Sequence, residues 1–216
     1  MRQMIAGPVG ALEAEVIDGT DERAPFAVVC HPHPLMGGTM DNKVVTTAAR
    51  ALQATGMPAV RFNFRGVGAS AGSYDAGNGE TADALAVIEW GCARWPGRPV
   101  LLAGFSFGAY VALRASQSLQ VGRLITIAPP IGRFDFSPLT APAAPWLIVQ
   151  GDADEVVEPA AVLRWAKDLP GNAHLVLLPG VGHFFHGRLS ELRDLIEREI
   201  RGGDASMHRP GDEEIP

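Results

Sequence analysis

The chain has 216 residues, with 24 acidic against 18 basic side chains for a net charge of −6, and 47% of its residues are apolar. That length suits one domain able to bury a full core, and the lack of any basic cluster excludes nucleic acid as the expected partner. Nothing approaches the roughly 20 consecutive apolar residues of a membrane span, and residues 1–12, broken by Gly7, Pro8 and Gly10, lack the apolar stretch of a secretory leader, so the expectation is a cytoplasmic protein with no membrane partner.

Residues 11–18 alternate, with Leu12, Ala14 and Val16 against Glu13 and Glu15, as an antiparallel edge strand does. A turn over 19–25 leads to Phe26-Ala27-Val28-Val29-Cys30, a continuous run of the kind buried on both faces of a sheet. His31-Pro32-His33-Pro34 ends it, because two prolines stiffen a loop that continues through Gly38. Thr39 or Asp41 is placed to cap the following helix, whose stripe is Val44, Val45, Ala48 and Leu52. Gly56 stops that helix, residues 59–64 form the next strand, and 65–72 read as a flexible loop. Its glycines miss the G-x-G-x-x-G spacing, since position 71 is alanine, so no dinucleotide site is expected.

From Gly79 to Pro96 apolar residues recur at helical spacing, with Glu80 and Asp83 placed where the helix dipole favours negative charge. Cys30 and Cys92, without partners at metal or redox spacing, are expected to be reduced and buried. Residues 99–105 form a central strand and 121–128 another, which Pro129-Pro130 ends. The connection 131–145 is short and proline-rich, and a strand at 146–150 delivers Gly151-Asp152-Ala153-Asp154 to a loop. A helix over 159–168, a last strand over 174–178, a loop holding Gly182-His183 and a terminal helix over 188–201 complete residues 1–201 as one domain. Residues 202–216, rich in Gly, Pro and acidic groups, read as a disordered tail.

Repeated strand then helix implies a largely parallel sheet with helices on both faces, and sites in such sheets lie beyond the carboxyl ends of the strands. There stands Gly104-Phe105-Ser106-Phe107-Gly108. A serine hydroxyl is a poor nucleophile unless a sharp turn exposes it to a general base, and glycines two positions either side let such a turn close without a clash. The helix that opens next turns the Phe107 N–H and the positive end of its dipole toward any developing oxyanion. The same pentapeptide also suits a glycine-rich turn with no chemistry. Of the six histidines, His183 alone lies in a glycine-flanked loop after the last strand, where its imidazole could take the Ser106 proton. His31 and His33 compete for that role, or for a metal, although no cysteine or carboxylate stands near them at ligand spacing.

Taken together, the Ser106 turn, Gly151-Asp152-Ala153-Asp154 and Gly182-His183, in the order serine, acid, histidine, resemble an α/β-hydrolase. His31-Pro32-His33-Pro34-Leu35-Met36-Gly37-Gly38-Thr39-Met40-Asp41-Asn42 and Asn63-Phe64-Arg65-Gly66-Val67-Gly68-Ala69-Ser70 resemble a subgroup of small bacterial single-domain members. The resemblance covers about residues 10–200 and implies a three-layer α/β fold, mostly parallel, with minimal or no cap. It implies Asp154 as the acid three residues after the strand-ending glycine, ahead of Asp152 and Glu155. It also implies an oxyanion hole between the Phe107 amide and one from the early loop. Pro32 and Pro34 have no N–H, so that second amide is His33 or Leu35; His33 aligns better, although Pro32 stands where the family has glycine.

The function expected is a serine hydrolase needing no cofactor and no metal, a carboxylesterase for small or short-acyl esters acting through an acyl-enzyme. A thioesterase, lactonase or amidase using the same residues is the alternative, as is a binding protein on the same fold. Phe134 and Phe136 are candidates to line the substrate pocket or to pack in the core. The sequence leaves open whether the chain is a monomer or a homodimer.

Overall fold

The computed structural model describes residues 1–202. In chain order its elements are β1 (Arg2–Gly7), β2 (Gly10–Ile17), β3 (Phe26–Cys30), α1 (Lys43–Ala54), β4 (Ala59–Phe62), α2 (Asn78–Arg94), β5 (Val100–Phe105), α3 (Phe107–Ala115), β6 (Arg123–Ile127), β7 (Trp146–Gly151), α4 (Pro159–Ala166), β8 (Ala173–Leu178) and α5 (Leu189–Arg201). The tail expected from residue 202 onward lies, beyond Gly202 itself, outside the described residues.

The strands form one sheet in the order β1-β2-β4-β3-β5-β6-β7-β8. β1 and β2 pair antiparallel, as do β2 and β4, and every pairing from β4 across to β8 is parallel. Alternation along the central strands feeds two apolar layers. Phe26, Val28, Cys30, Leu102 and Ile148 meet α2, α3 and α4 on one face, while Ala27, Val29, Leu101, Ala103, Phe105 and Val149 meet α1 and α5 on the other. The chain steps from β3 outward to β4 and then back past β3 to β5. The crevice beyond the carboxyl ends of β3 and β5 is therefore the switch point at which ligands of such sheets bind.

Several expectations need correction. β2 is not an edge strand, because β1 pairs along its outer side, with Ile5 opposite Leu12. The cap of α1 is Asn42, whose side chain accepts the Val44 N–H at 2.9 Å; Asp41 instead pairs with Arg2 and Arg61. Cys30 is buried but Cys92 is exposed. Asp83 is not a dipole partner in the first turn of α2, because its carboxylate, fully buried, grips the Arg65 guanidinium and backbone N–H. Residues 65–72 are not a free loop, since Ser70 Oγ accepts the Glu13 N–H and donates to the Asn63 carbonyl, and the Ala71 N–H donates to the Ala11 carbonyl.

Between β6 and β7, residues 128–145 run as turns with no helix among them, so nothing from this connection builds a cap over the sheet. No helix among the described residues is long and apolar enough to cross a membrane.

Candidate active site

Ser106 stands between β5 and α3 with φ 54° and ψ −120°, a backbone conformation that side chains other than glycine rarely adopt. The glycines beside it make that turn possible. A Cβ on Gly104 would lie 2.0 Å from the Gly108 carbonyl oxygen, and one on Gly108 would lie 2.3 Å from the Cys30 carbonyl oxygen. β3, β5 and α3 thus approach one another as backbone, and Ser106 is pushed up, partly exposed, at their meeting point.

His183 Nε2 lies 3.1 Å from Ser106 Oγ, and His183 Nδ1 lies 2.8 Å from Asp154 Oδ2. The Ser106 hydroxyl, the imidazole and the Asp154 carboxylate therefore form one hydrogen-bonded chain, although they come from the ends of three different strands. With Nδ1–H donating to the carboxylate, Nε2 is the nitrogen free to accept the serine proton. Both partners are shielded, His183 being 3% and Asp154 7% exposed. Phe105 and Phe184 flank the imidazole, the latter edge-on. Burial works against the Asp154 charge, but the bonds from His183 and from the Val157 and Val156 amides outweigh it and hold the carboxyl below its usual range.

The segments 152–155 and 180–183 grip each other along their length. Asp152 Oδ1 accepts the Gly180 N–H at 2.6 Å, the Ala153 N–H donates to the Val181 carbonyl, and Glu155 Oε2 accepts the His183 N–H at 3.1 Å. Asp152 and Glu155, the competing acids, are thereby occupied in shaping the loops, and Asp154 alone of the three reaches the imidazole. The carboxylate on the His183 amide could not be foreseen from spacing. Gly182 hints at it, because a Cβ there would sit 2.8 Å from Glu155 Oε2.

Across the crevice, His31 is fully buried, with Nδ1 2.6 Å from the Pro32 carbonyl oxygen and Nε2 accepting the Phe64 N–H at 3.0 Å. Both nitrogens are committed, and burial pushes its pKa down to about 4, so His31 is a neutral tie between two loops. His33 Nδ1 accepts the Leu35 N–H at 3.2 Å and its Nε2 lies 3.0 Å from the Tyr74 hydroxyl. Burial lowers the His33 pKa as well. The Leu35 amide is thus spent on capping the short 3-10 turn Pro34–Met36, whereas the His33 and Phe107 N–H groups meet no acceptor among the described residues. No group of three or more His, Cys, Asp or Glu side chains among the described residues could hold a metal.

The two phenylalanines part company. Phe134 packs against His33, Phe107 and Tyr110 beside the crevice, while Phe136, 8% exposed, is wedged between Tyr110 and Trp165 as core. Tyr74, which no sequence pattern singles out, joins the first group through His33 and Phe107. Leu35, Met36 and Phe184 are the exposed apolar residues of the surrounding loops.

The model of a family described as an alpha/beta hydrolase domain matches residues 28–198. An uncharacterized protein of Rickettsia prowazekii (strain Madrid E) is 36% identical over 200 residues, which cover 88% of this chain and 84% of that protein. Among solved structures, a serine hydrolase without lid from Xanthomonas campestris shares 48% identity with a TM-score of 0.88, covering 96% of each chain. A serine hydrolase homologue from Coxiella burnetii shares 47% identity with a TM-score of 0.89, covering 93% of this chain and 97% of its own.

Proposed function

Since the chain belongs to the alpha/beta hydrolase domain family and has that fold without a lid, we propose that it is a serine hydrolase, a carboxylesterase acting through an acyl-enzyme. The observation that carries this reading is the unbroken chain from Ser106 Oγ through His183 to Asp154, at 3.1 and 2.8 Å.

In the first half-reaction Ser106 Oγ attacks the ester carbonyl carbon as its proton passes to His183 Nε2. Asp154 stabilises the imidazolium that results without taking the proton itself. The carbonyl oxygen becomes an oxyanion, for which the Phe107 and His33 amides are the donors; each such donor is worth about 10²–10³ in rate. The tetrahedral intermediate collapses, the C–O bond to the alcohol breaks, and His183 passes its proton to the leaving oxygen. A water then gives up a proton to His183, adds to the acyl carbon, and the acid leaves as Ser106 recovers its hydrogen. Every proton is accounted for among the triad, the substrate and the attacking water.

The uncapped crevice and the exposed Leu35, Met36 and Phe184 support small or short-acyl esters as substrates, with Phe134 the aromatic side chain placed to meet them. The test is covalent labelling by a fluorophosphonate together with hydrolysis of p-nitrophenyl esters of increasing acyl length. The parent should label and should hydrolyse the acetate and butyrate faster than the decanoate, and Ser106→Ala should do neither. Equal labelling of parent and Ser106→Ala defeats the proposal.

A further inference from the structure

Gln150 lies next to last in β7, and its side chain is fully buried. A primary amide taken out of water is costly unless its two N–H donors and its carbonyl oxygen all find partners. Here the donors are used and the oxygen is not. Nε2 donates to Asp154 Oδ2 at 2.9 Å and to the Gly151 carbonyl at 3.1 Å, while Oε1 has no donor among the described residues. Methionine, unbranched and of similar volume, would fill the same space with no polar oxygen to satisfy. What methionine lacks is the N–H on Oδ2, the oxygen that also faces His183 Nδ1.

We propose that Gln150 is a positioning residue for the triad, holding Asp154 Oδ2 toward His183 and drawing off part of the negative charge that the imidazole feels. The proposal rests on the serine hydrolase reading above. Asp154 then carries two donors on each oxygen, the Val156 and Val157 amides on Oδ1 and Gln150 with His183 on Oδ2. That set leaves the carboxylate one orientation. It also limits how tightly the imidazolium is held, because a carboxylate shared among several donors attracts each of them less. A base held too strongly by its acid keeps its proton when it should be free to take one from Ser106.

The other charged or titratable groups facing this pair are few. The Glu155 carboxylate sits on the His183 backbone N–H, and Asp152 is turned to the Gly180 N–H. The imidazole is otherwise packed by Phe105 and Phe184. None of these supplies a second donor to Oδ2, so the Gln150 amide has no substitute.

The experiment is the pH profile of kcat/KM on p-nitrophenyl butyrate between about pH 5 and 9, for the parent, Gln150→Met, Gln150→Glu and Ser106→Ala. Gln150→Met should lose about tenfold to a hundredfold in kcat, the scale of a misaimed catalytic group, with little change in KM, and its acid limb should move to higher pH. In Gln150→Glu the introduced carboxyl is buried against Asp154 and so ionises at a raised pH. It donates to Oδ2 while protonated, so this variant should work like the parent at acid pH and lose rate progressively toward alkaline pH. If both Gln150 profiles superimpose on the parent's after scaling while Ser106→Ala is dead, the Gln150 assignment falls and the esterase reading stands. If Ser106→Ala hydrolyses as fast as the parent, both fall. A Gln150→Met protein that does not fold leaves the decision to Gln150→Glu, whose profile alone overturns the assignment if it parallels the parent's.

Discussion

His31 Nε2 accepts the Phe64 backbone N–H at 3.0 Å, which joins the loop after β3 to the chain beyond β4 with no solvent reaching the bond. Nδ1, 2.6 Å from the Pro32 carbonyl, supplies the proton of that neutral ring. Charging the ring would spoil the bond from Phe64, and burial accordingly holds its pKa at about 4 against an ordinary 6.5. The folded protein thus refuses a proton that the unfolded chain accepts. Above about pH 6.5 neither state is charged and His31 adds no pH dependence. As pH falls from about 6.5 toward 4, stability drains away, by about 3 kcal/mol at the lower end. Urea melts across this range should show the parent losing stability more steeply than His31→Gln, with a difference of about one proton in the slope. Parallel slopes would mean the ring is not held neutral.

Gly108 has no room for a methyl group. A Cβ would lie 2.3 Å from the Cys30 carbonyl oxygen and 2.6 Å from that of His31, both of them backbone. Neither can retreat without moving β3 or the loop that carries the His33 amide. Gly108→Ala should therefore cost about 3 kcal/mol, or a fall in Tm of about 6–12 °C, and abolish hydrolysis. Gly171→Ala, where a Cβ meets nothing within 4 Å, is the control and should melt within about 2 °C of the parent. A melting point for Gly108→Ala as high as the control's would show that the close approach of α3 to β3 is relaxed in solution.

Asp83 and Arg65 form a buried ion pair in which Oδ1 takes the guanidinium Nη2 at 2.7 Å and Oδ2 takes both Nε and the Arg65 N–H at 3.0 Å. With Asp83 wholly buried, Asp83→Asn strips the largely buried guanidinium of its hydrogen-bonded counter-charge and leaves Glu80 and Asp75 as the remaining acids near it. Breaking such a pair costs about 3–5 kcal/mol. The pair also anchors the start of the segment that carries Tyr74 to His33, so activity should fall along with stability. Denaturant unfolding of Asp83→Asn checks this, and a loss below about 1 kcal/mol would place the pair in solvent.

Much of the fold and the candidate site was legible because period-2 and period-3.6 patterns, turn glycines and chain order report backbone path directly. Three-dimensional pairing is less visible. β1 carries no strand signature because only Ile5 of its residues is buried, so no alternation marks it. Cys92 was expected inside, yet on α2 it is Gly91 that faces the core, where a Cβ would strike the Phe26 ring at 2.4 Å. The capping residue of α1 was misplaced because Thr39, Asp41 and Asn42 are all competent, and only the loop geometry selects Asn42. Gln150 and Tyr74 match no motif, and Glu155, a rival acid by spacing, turns instead to the His183 amide, because each meets the site through a contact that only the folded chain makes. The motif residues Asn63 and Asp41 turn out to be braces. Asn63 Oδ1 accepts the Met40 N–H and Asp41 accepts from Arg61, which fastens the loop after β3 to β4.

The sequence left the second oxyanion donor between His33 and Leu35, and the geometry makes the choice testable. The Leu35 N–H is bound to His33 Nδ1, whereas the His33 N–H is free among the described residues. His33 has φ −54°, within the range of a proline ring, so His33→Pro can delete this amide hydrogen while the backbone keeps its course. Both His33→Pro and His33→Ala lose the imidazole and its bonds to Leu35 and Tyr74, and they differ at the amide nitrogen, where proline carries its ring in place of the hydrogen. If His33 supplies the donor, His33→Pro should have a kcat about 10²–10³ below that of His33→Ala, with similar KM. If Leu35 supplies it, both variants release the Leu35 N–H equally and their kcat values should coincide. Circular dichroism and melting of the two proteins keep the comparison fair, since a difference in rate counts only between variants folded alike.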